Sequence, residues 1–467
     1  MEALEKSHRQ NRDPHASEPR RRGAFAISAA SGVLLLMGIS YLWGVFSQRN
    51  DVFPYGLLVQ AEKGFQALTA GDELHNMYRR VDDDIDIVTL HGDPAPGLNL
   101  VTRVAADDRF AVTLMDLDGK TLHEWSIDWF EIGLHGDHIP DYRVPQAHPG
   151  SFVSGSIMLA GGDIVFNFDY LGLVRLGPAG EIRWRLPYQT HHSIHEHDDG
   201  NLWVCGRRLS RVRDERYPDF GAPYRIDTIL EVSPEGEILA EWEVREILAS
   251  NGYAGLLTMD SRREADPLHL NDVEPFPATM EEDFFEHGDV LVSLRNVCTV
   301  FVFSRHTGDI KFICTGWFAA QHDPDFIDGN TFSVFDNNMV TSGNPWTEVG
   351  QSRIVEVSAR DRTRRVVYEG RPDAPFYSSI IGRHQWLENG NLLVTESVPG
   401  RAFEVDAAGG LVWEYRNYLG SGLVGVLAKV QRIPASSSSP FVSGAVGVAA
   451  RPDGSGESGA EDGPTIH

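Results

Sequence analysis

A two-strand unit that recurs six times is the feature that most restricts how this chain can fold. Each copy has a strand, a turn rich in Gly or acidic residues, and a second strand that often ends near Trp. Gly is typical of such turns because it adopts positive φ without steric cost. The copies are VTLMDLDGKTLHEW (112–125), LVRLGPAGEIRW (173–184), ILEVSPEGEILAEW (229–242), VFVFSRHTGDIKF (300–312), the less regular RIVEVSARDRTRRVVYE (353–369) and AFEVDAAGGLVWEY (402–415).

A second recurring unit, an apolar stretch with a Gly-Asn or Gly-Asp turn, alternates with the first. Its copies are LAGGDIVFNF (159–168), HEHDDGNLWVC (195–205), FEHGDVLVSL (285–294), DFIDGNTFSVF (325–335) and WLENGNLLVTE (386–396). One copy of each unit supplies four antiparallel strands, which cannot bury both faces alone. The pattern therefore predicts an all-β fold, a six-bladed β-propeller over residues 98–434. Residues 430–433 are expected to complete the first blade, and a pair of β-sandwiches would not explain six copies.

An uncharged run of 24 residues, 23–46, is long enough to cross a hydrocarbon core of ~30 Å. Arg20, Arg21 and Arg22 precede it, which predicts a cytoplasmic basic tail over residues 1–22 and a periplasmic or other extracytoplasmic location for everything after residue 50. A cleaved signal peptide is the alternative, but the run ends in the bulky Tyr41, Leu42 and Trp43. We therefore expect an uncleaved, single-pass transmembrane anchor.

The segments that flank the propeller have their own patterns. Leu57, Leu58, Ala61, Phe65 and Leu68 recur at helical spacing, which predicts a helix over residues 55–80 within a helical stalk or linker, 51–97. The end of the chain, 435–467, is rich in Ser, Gly, Pro and Ala and is predicted to be disordered.

Charge and cysteine content exclude several classes of function. A formal net charge of −26 argues against nucleic acid as a partner, because a phosphate backbone requires basic surface. The three cysteines form no CxxC motif and no disulfide framework. Cys298 and Cys314 flank a predicted hairpin, so a disulfide and two buried thiols both remain open.

Histidines recur at the start of four predicted inner strands. The segments are His191–His195, Leu268–Asp272, Gln321–Asp325 and Arg383–Gln385, and the histidines at 192, 269, 322 and 384 are separated by 77, 53 and 62 residues. In a propeller the inner strands line one channel, so these side chains are predicted to converge at one mouth of it.

A histidine cluster favours transfer of an anionic group. Histidine is neutral or charged close to pH 7, so one ring can be a nucleophile while its neighbours donate protons. Arg295, at the end of the strand after His269, would neutralise paired oxygens with its planar fork. His195 and His197 share one strand face and would suit zinc, but no ligand lies at the right spacing beside them. We therefore predict no metal and no cofactor.

At these segments the sequence resembles the bacterial arylsulfotransferases that need no nucleotide sulfate donor. The resemblance spans about 98–434 and rests on His191-His192-x-Ile, His269-x-Asn271, Ser-Leu-Arg295, Gln321-His322-Asp323, Phe335-Asp336-Asn337 and Gly400-Arg401-Ala402-Phe403-Glu404-Val405. It implies a six-bladed propeller and ping-pong transfer of a sulfuryl group from an aryl sulfate donor to a phenolic acceptor. By the same resemblance, His322 becomes a transient sulfohistidine, while His192, His269 and Arg295 hold the sulfuryl oxygens and one of the two histidines protonates the departing phenolate.

The substrate-binding side chains that we expect are His191, Asn271 and His384, with Trp317, Phe318 and Tyr377 as candidates for stacking on the phenol. Well-studied members of that family dimerise through an N-terminal β-domain, which this chain replaces with an anchor, so no oligomeric state is predicted. The alternative function is a non-catalytic, membrane-anchored propeller that binds a protein or a glycan. A quinone-dependent dehydrogenase is a further alternative. Such enzymes resemble eight-bladed rings with calcium ligands, and neither the blade count nor the acidic residues of this chain fit them.

Overall fold

The computed structural model describes residues 18–50, 54, 77–81, 85–140, 143–217, 224–258, 266–339, 351–372, 374–438 and 441. The chain divides into two compact units, Met1–Lys63 and Gly64–His467, and each is described by itself.

The larger unit consists mainly of antiparallel strands. In chain order they are β1 (Tyr78–Arg80), β2 (Val88–Leu90), β3 (Leu98–Val104), β4 (Phe110–Met115), β5 (Thr121–Ile127), β6 (Val153–Met158), β7 (Ile164–Phe168), β8 (Gly172–Leu176), β9 (Ile182–Leu186), β10 (Gln189–Glu196), β11 (Leu202–Ser210), β12 (Tyr224–Val232), β13 (Ile238–Glu243), β14 (Leu270–Pro275), β15 (Asp289–Leu294), β16 (Thr299–Ser304), β17 (Ile310–Thr315), β18 (His322–Phe326), β19 (Thr331–Asp336), β20 (Arg353–Ser358), β21 (Thr363–Glu369), β22 (Arg383–Trp386), β23 (Leu392–Glu396), β24 (Arg401–Val405), β25 (Leu411–Arg416), β26 (Tyr418–Gly420), β27 (Leu423–Gly425) and β28 (Leu427–Ile433).

Six of the sheets, which we call blades, follow one another along the chain. Blade 1 is β28-β3-β4-β5, blade 2 is β6 to β9, blade 3 is β10 to β13, blade 4 is β14 to β17, blade 5 is β18 to β21, and blade 6 is β22 to β25 with β2 on its outer edge. The C-terminal strand β28 pairs with β3, so the expected completion of the first blade by residues 430–433 is confirmed. The turn glycines adopt the positive φ that the sequence predicts, +80° at Gly180 and +86° at Gly236.

The inner strands of the blades form a closed ring. The strands β28, β6, β10, β14, β18 and β22 each contact the inner strand of the next blade, and β22 contacts β28. Among the described residues the buried apolar side chains fall into six clusters, each shared by two neighbouring blades. A blade therefore buries its apolar faces only against its neighbours, which is consistent with the predicted six-bladed propeller.

Two short helices also lie in the larger unit. Helix α2 (Trp129–Ile132) follows β5 and is capped by Asp128, whose carboxylate accepts a hydrogen bond from the backbone N–H of Phe130. Helix α3 (Val244–Ser250) follows β13, and a 3-10 turn, Ala254–Thr258, comes after it.

The N-terminal unit contains helix α1 (Glu18–Asn50), which covers the apolar run. Among the residues that the structure describes, no helix is long and apolar enough to cross a membrane. The transmembrane anchor predicted over 23–46 is therefore not supported. Residues 1–17 lie outside the described residues, and the predicted location outside the cytoplasm stays a prediction.

The predicted helical stalk differs from the structure where it is described. Tyr78–Arg80 is a strand that pairs with β27, so the predicted helix over 55–80 is wrong for these residues. Val88–Leu90, in the predicted linker, is a strand that pairs with β25. Pairing with C-terminal strands satisfies their backbone groups without a helix. Residues 55–76, which carry the helical pattern, lie outside the described residues.

The predicted disorder at the C-terminus is wrong for its first residues. Ala435–Ser438 form a 3-10 turn. The Phe441 ring stacks on His123, with ring centroids 4.4 Å apart, and meets the Trp125 ring edge-on. Phe441 therefore contacts blade 1; 439, 440 and 442–467 lie outside the described residues. Cys205, Cys298 and Cys314 are free thiols.

Candidate active site

Three of the predicted histidines lie together at the start of their inner strands. The ring centroid of His192 is 5.1 Å from that of His269 and 6.2 Å from that of His322. The three rings come from blades 3, 4 and 5, so residues separated by up to 130 positions form one cluster. We call these three rings the histidine cluster.

An irregular backbone turns these side chains toward one another. The pairing register of β10 shifts between His191 and Ile194, and β14 and β18 have equivalent shifts. His192 and His269 have φ near +56° and +57°, a region that costs a non-Gly residue about 1–3 kcal/mol unless its surroundings enforce it. Bulges of this kind re-aim side chains, and they occur next to active sites.

Blade 2 holds the strained backbone of His192 on both sides. The hydroxyl of Ser154 accepts a hydrogen bond from the His192 N–H at 2.8 Å, and the Asn167 side-chain amide donates to the His192 carbonyl at 3.2 Å. At Gly155 a Cβ atom would lie 2.0 Å from that carbonyl oxygen, so only Gly permits this close approach.

His322 is buried and held in one tautomer. Its Nδ1 lies 2.7 Å from Oδ1 of Asn337. The Asn337 Nδ2 donates to the carbonyls of Ser378 and Ile381, which leaves Oδ1 as the acceptor toward the ring. His322 therefore carries its proton on Nδ1, and Nε2 has a free lone pair. Burial, and then the charge of Arg295, lower the pKa of His322 well below its usual range, so the ring is neutral near pH 7.

His269 has a different partner, a carboxylate. Its Nδ1 lies 2.7 Å from Oδ2 of Asp266, three residues earlier in the chain. Burial alone would raise the pKa of Asp266, but the charge and hydrogen bond of His269 outweigh it and lower that pKa. The neighbouring Asp227 has its pKa raised to about 6 by burial and by repulsion from Asp266. An ionised carboxylate on Nδ1 stabilises a positive charge on the His269 ring.

His191 lies behind His192 rather than in the open part of the cluster. It is 1% exposed, and the two Nδ1 atoms are 2.9 Å apart, so one ring donates and the other accepts. Burial is the main cause that lowers the pKa of both rings well below the usual range. The second cause is the charge of Arg207 for His191 and electrostatic repulsion from His191 for His192.

Arg295 and Asn271 lie next to the cluster. The backbone N–H of Arg295 donates to the carbonyl of His269 at 3.0 Å, and its charge contributes to the low pKa of His322. Asn271 is fully buried, and its Nδ2 donates to the carbonyl of Gln321 at 2.7 Å. The Asn271 Oδ1 has no hydrogen-bond partner among the described residues.

His384 does not join the other histidines. Its Nε2 lies 2.6 Å from the Ser333 hydroxyl, and its Nδ1 lies 3.0 Å from Oδ2 of Asp323. It lines a cavity of about 490 Å³ together with Asp325 and Lys429. Both ring nitrogens are occupied by protein groups, which argues against the predicted contact of His384 with substrate.

A buried ion-pair network connects this region. The Nη1 of Arg383 donates to Asp272 at 2.6 Å and to Asp323 at 2.7 Å, so blade 6 is tied to blades 4 and 5. Asp323, Asp325 and His384 form the group of metal-ligating side chains found among the described residues, with ligand atoms within 4.8 Å of one another. Because Asp323 is already bonded to Arg383 and His384, these atoms act as an ion-paired network.

The zinc alternative fails on geometry. The Nε2 of His195 lies 3.2 Å from Asp272, whereas the Nδ1 of His197 lies 3.0 Å from Asp199. The two rings therefore pair with different carboxylates and do not share a ligand position.

Tyr170 is the aromatic residue beside the cluster, and the sequence analysis missed it. Its ring centroid is 4.6 Å from that of His191 and 6.1 Å from that of His192, and its φ is +63°. Trp317 and Phe318 instead pack in the core between blades 4 and 5, and Tyr377 is also buried.

A positional signal would have found the missed residues. Arg295, which was predicted, comes directly after β15, the second strand of blade 4. Asn337 holds the same position after β19, and Asp169-Tyr170 follow β7. In blades 2, 4 and 5, the turn after the second strand therefore supplies side chains to the same end of the ring.

Comparison with known proteins identifies the family of the chain. Residues 156–418, more than half of the chain, match the family described as Arylsulfotransferase (ASST). The chain therefore belongs to the arylsulfotransferase family, and the predicted resemblance is confirmed. No curated protein matches the chain.

Solved structures with low sequence identity are also similar. A protein of unknown function from Bacteroides caccae is 14% identical with a TM-score of 0.45, and the match covers 71% of this chain and 98% of that one. A nidogen/laminin complex has a chain that is 8% identical with a TM-score of 0.41, covering 72% and 97%. Virginiamycin B lyase from Staphylococcus aureus is 11% identical with a TM-score of 0.34, covering 60% and 84%.

Proposed function

We propose that this protein transfers a sulfuryl group from an aryl sulfate ester to a phenol, in two half-reactions, through His322. The observation that carries the proposal is the hydrogen bond between Asn337 and Nδ1 of His322. It leaves the lone pair on Nε2 of this neutral, buried ring, on the side away from Asn337. Family membership supports the same class of reaction.

In the first half-reaction the Nε2 lone pair of His322 attacks sulfur. The N–S bond forms while the bond from sulfur to the aryl oxygen breaks, and its electron pair leaves with that oxygen. The aryl oxygen takes a proton from protonated His269, whose positive charge Asp266 stabilises. The products are a phenol, sulfohistidine at position 322 and neutral His269.

In the second half-reaction the acceptor phenol gives its proton to neutral His269 and its oxygen attacks sulfur. The N–S bond breaks, and its electron pair returns to Nε2 of His322. The protein is restored with His269 protonated, so atoms and charge balance over the cycle.

Arg295 and His192 complete the proposed site. The transition state spreads negative charge over the sulfuryl oxygens, as in phosphoryl transfer, so fixed cations and N–H donors supply much of the rate. In this proposal His191 donates from Nδ1 to His192, which leaves the Nε2–H of His192 to bind a sulfuryl oxygen.

The test uses the full-length chain with 4-nitrophenyl sulfate as donor and phenol as acceptor. Release of nitrophenolate is expected from the parent, loss of it from His322→Ala, and normal release from His91→Ala, an exposed histidine on the same unit. Mass spectrometry of the protein mixed with donor alone should find one added sulfuryl group on the peptide containing His322. Absence of release by the parent would favour the alternative of a non-catalytic propeller that binds a protein or a glycan. Full activity of His322→Ala would show that His322 is not the nucleophile.

A further inference from the structure

A second cavity lies outside the histidine cluster and is rich in arginine. Its volume is about 360 Å³, in the range of small-molecule sites. Its walls include His138, Tyr188, Gln189, Arg207, Arg208 and Arg211, with Asp137 as its one acid. A protein of net charge −26 repels small anions overall, so a local positive cavity is needed to bind one.

Arg207 is the buried cation of this cavity. Its exposed fraction is 3%. Its Nε donates to Oε1 of Gln189 at 3.1 Å, and Nε2 of Gln189 donates to the carbonyl of His138 at 2.6 Å, which fixes the direction of the amide. The guanidinium carbon lies 3.4 Å from the ring centroid of Tyr170.

The terminal nitrogens of Arg207 remain available. Among the described residues, neither Nη1 nor Nη2 forms a hydrogen bond, and no carboxylate lies within 4.0 Å of the guanidinium. Burial, and then the charge of Arg143, lower its pKa to about 10, so it stays charged near pH 7. The carboxylates of Asp169, Asp227 and Asp266 interact with this charge from beyond salt-bridge distance. An anion bound to Nη1 and Nη2 would add the direct partner that the guanidinium lacks.

The adjacent arginine provides a contrast within the same cavity. The Nε of Arg208 lies 2.7 Å from Glu241, and its Nη2 lies 2.5 Å from Glu243. Arg208 therefore has two carboxylates in direct contact, whereas no carboxylate of the described residues lies within salt-bridge distance of Arg207.

The cavity lies close to the proposed chemistry. Arg207 pairs with Gln189 where β11 lies beside β10, and Gln189 is two residues before His191. Its guanidinium packs on Tyr170, and the Tyr170 ring contacts His191 and His192. One aromatic ring thus separates the guanidinium from the histidine cluster.

We infer that Arg207 binds a carboxylate carried by the aromatic substrate, so that this protein prefers phenols and aryl sulfates with an anionic substituent. The planar fork of Nη1 and Nη2 matches the two oxygens of a carboxylate, and Tyr188 provides an aromatic wall. The inference rests on the proposed function, because it assigns a substrate class to the same reaction.

The first experiment compares two acceptors with one donor. With 4-nitrophenyl sulfate and the full-length chain, kcat/KM is measured for 4-hydroxybenzoate and for phenol. Arg207→Gln should lower kcat/KM for 4-hydroxybenzoate about 10–100-fold more than for phenol, because it removes a charge-assisted hydrogen-bonded pair. Arg208→Gln, in the same cavity, should leave the ratio of the two values unchanged. An unchanged ratio in Arg207→Gln overturns the inference.

The second experiment measures binding without any transfer, so that failure of the inference differs from failure of the proposed function. Calorimetry should detect benzoate binding to the parent and to Arg208→Gln and its loss in Arg207→Gln, with acetate binding at least tenfold more weakly. Equal binding of acetate and benzoate would point to a free-anion site and overturn the inference. Near-ultraviolet circular dichroism checks the fold of Arg207→Gln. Should that variant unfold, Arg207→Lys retains the charge without the fork and should still lose most benzoate affinity; retained affinity would count against the inference.

Discussion

The Nδ1 atom of His322 lies 2.7 Å from Oδ1 of Asn337, and the other end of that amide is held by two backbone carbonyls. A flipped amide would place N–H groups against the ring and lose both carbonyl contacts. The turn after β19 therefore determines which nitrogen of His322 faces the cluster. Asn337 thus positions the proposed nucleophile without contacting substrate.

Replacement of Asn337 should change both the rate and its pH dependence. Asn337→Ala removes the acceptor that fixes the tautomer, and a loss of about 1–3 kcal/mol corresponds to a decrease in kcat of roughly 5–150-fold. Asn337→Asp places a negative charge on Nδ1 and should raise the pKa of His322. Because only neutral His322 attacks, activity falls as pH falls through that pKa, so the acidic limb of kcat/KM should move to higher pH.

Asn330→Asp is a matched control for that profile, because Asn330 precedes β19 and Asn337 follows it, so the two residues lie at opposite ends of that strand. An acidic limb at the same pH in Asn337→Asp and the parent would show that His322 does not set it.

Asp266→Asn should affect donors according to their leaving groups. The carboxylate stabilises the charge of His269, and general acid catalysis contributes about 10²–10⁴-fold when the leaving oxygen is basic. We expect a large decrease in kcat/KM for phenyl sulfate and a small one for 4-nitrophenyl sulfate, since nitrophenolate needs little protonation. Asp118→Asn, in an exposed turn of blade 1, should not change the ratio of the two donors. Equal losses for both donors would exclude His269 as the acid.

The blades and the convergence of three histidines could be predicted from sequence because both depend on repetition. Six copies of one hairpin predict six sheets, and equivalent positions in a ring meet at its axis. The departure of His384 could not be predicted in the same way. The strands β10, β14 and β18 have a register shift at their start, whereas β22 pairs with β23 without one. Since side chains alternate along a strand, one extra residue decides which face a side chain takes.

The roles of the residues that support the histidines were missed for a related reason, although Asn337 belongs to one of the quoted motifs. Asn337 and Tyr170 belong to turns after second strands, and their spacing from the histidines varies with the lengths of the intervening hairpins. Asp266 is only three residues before His269, but a carboxylate at that distance is common in loops and gave no distinct signal.

Arg383→Leu should lower the free energy of unfolding. It leaves Asp272 and Asp323 buried without their shared cation, and breaking a buried pair in this way costs about 3–5 kcal/mol. Although burial raises the pKa of Asp323, the charge of Arg383 outweighs it and lowers that pKa. The stabilisation from Asp323 should therefore be present above its unfolded pKa of about 4 and be lost as pH falls through the lower folded value.

Urea unfolding of the parent and Arg383→Leu at pH 7 measures this difference. Arg365→Leu, which removes an exposed pair with Glu356, should cost no more than about 1 kcal/mol. Equal stability of the two variants would show that the network contributes nothing specific.

Gly155→Ala should disturb the site from a position that has no catalytic group. The added Cβ would lie 2.0 Å from the carbonyl oxygen of His192, so the bulge that directs His192 toward His322 must shift. Overpacking of this kind costs about 1–3 kcal/mol, and a displaced ring should also lower kcat. Gly255→Ala is the matched control, because nothing lies within 4 Å of its Cβ position. Thermal unfolding and nitrophenolate release measured on both variants separate the two effects: activity retained in a destabilised Gly155→Ala would show that the position of His192 is not needed for transfer.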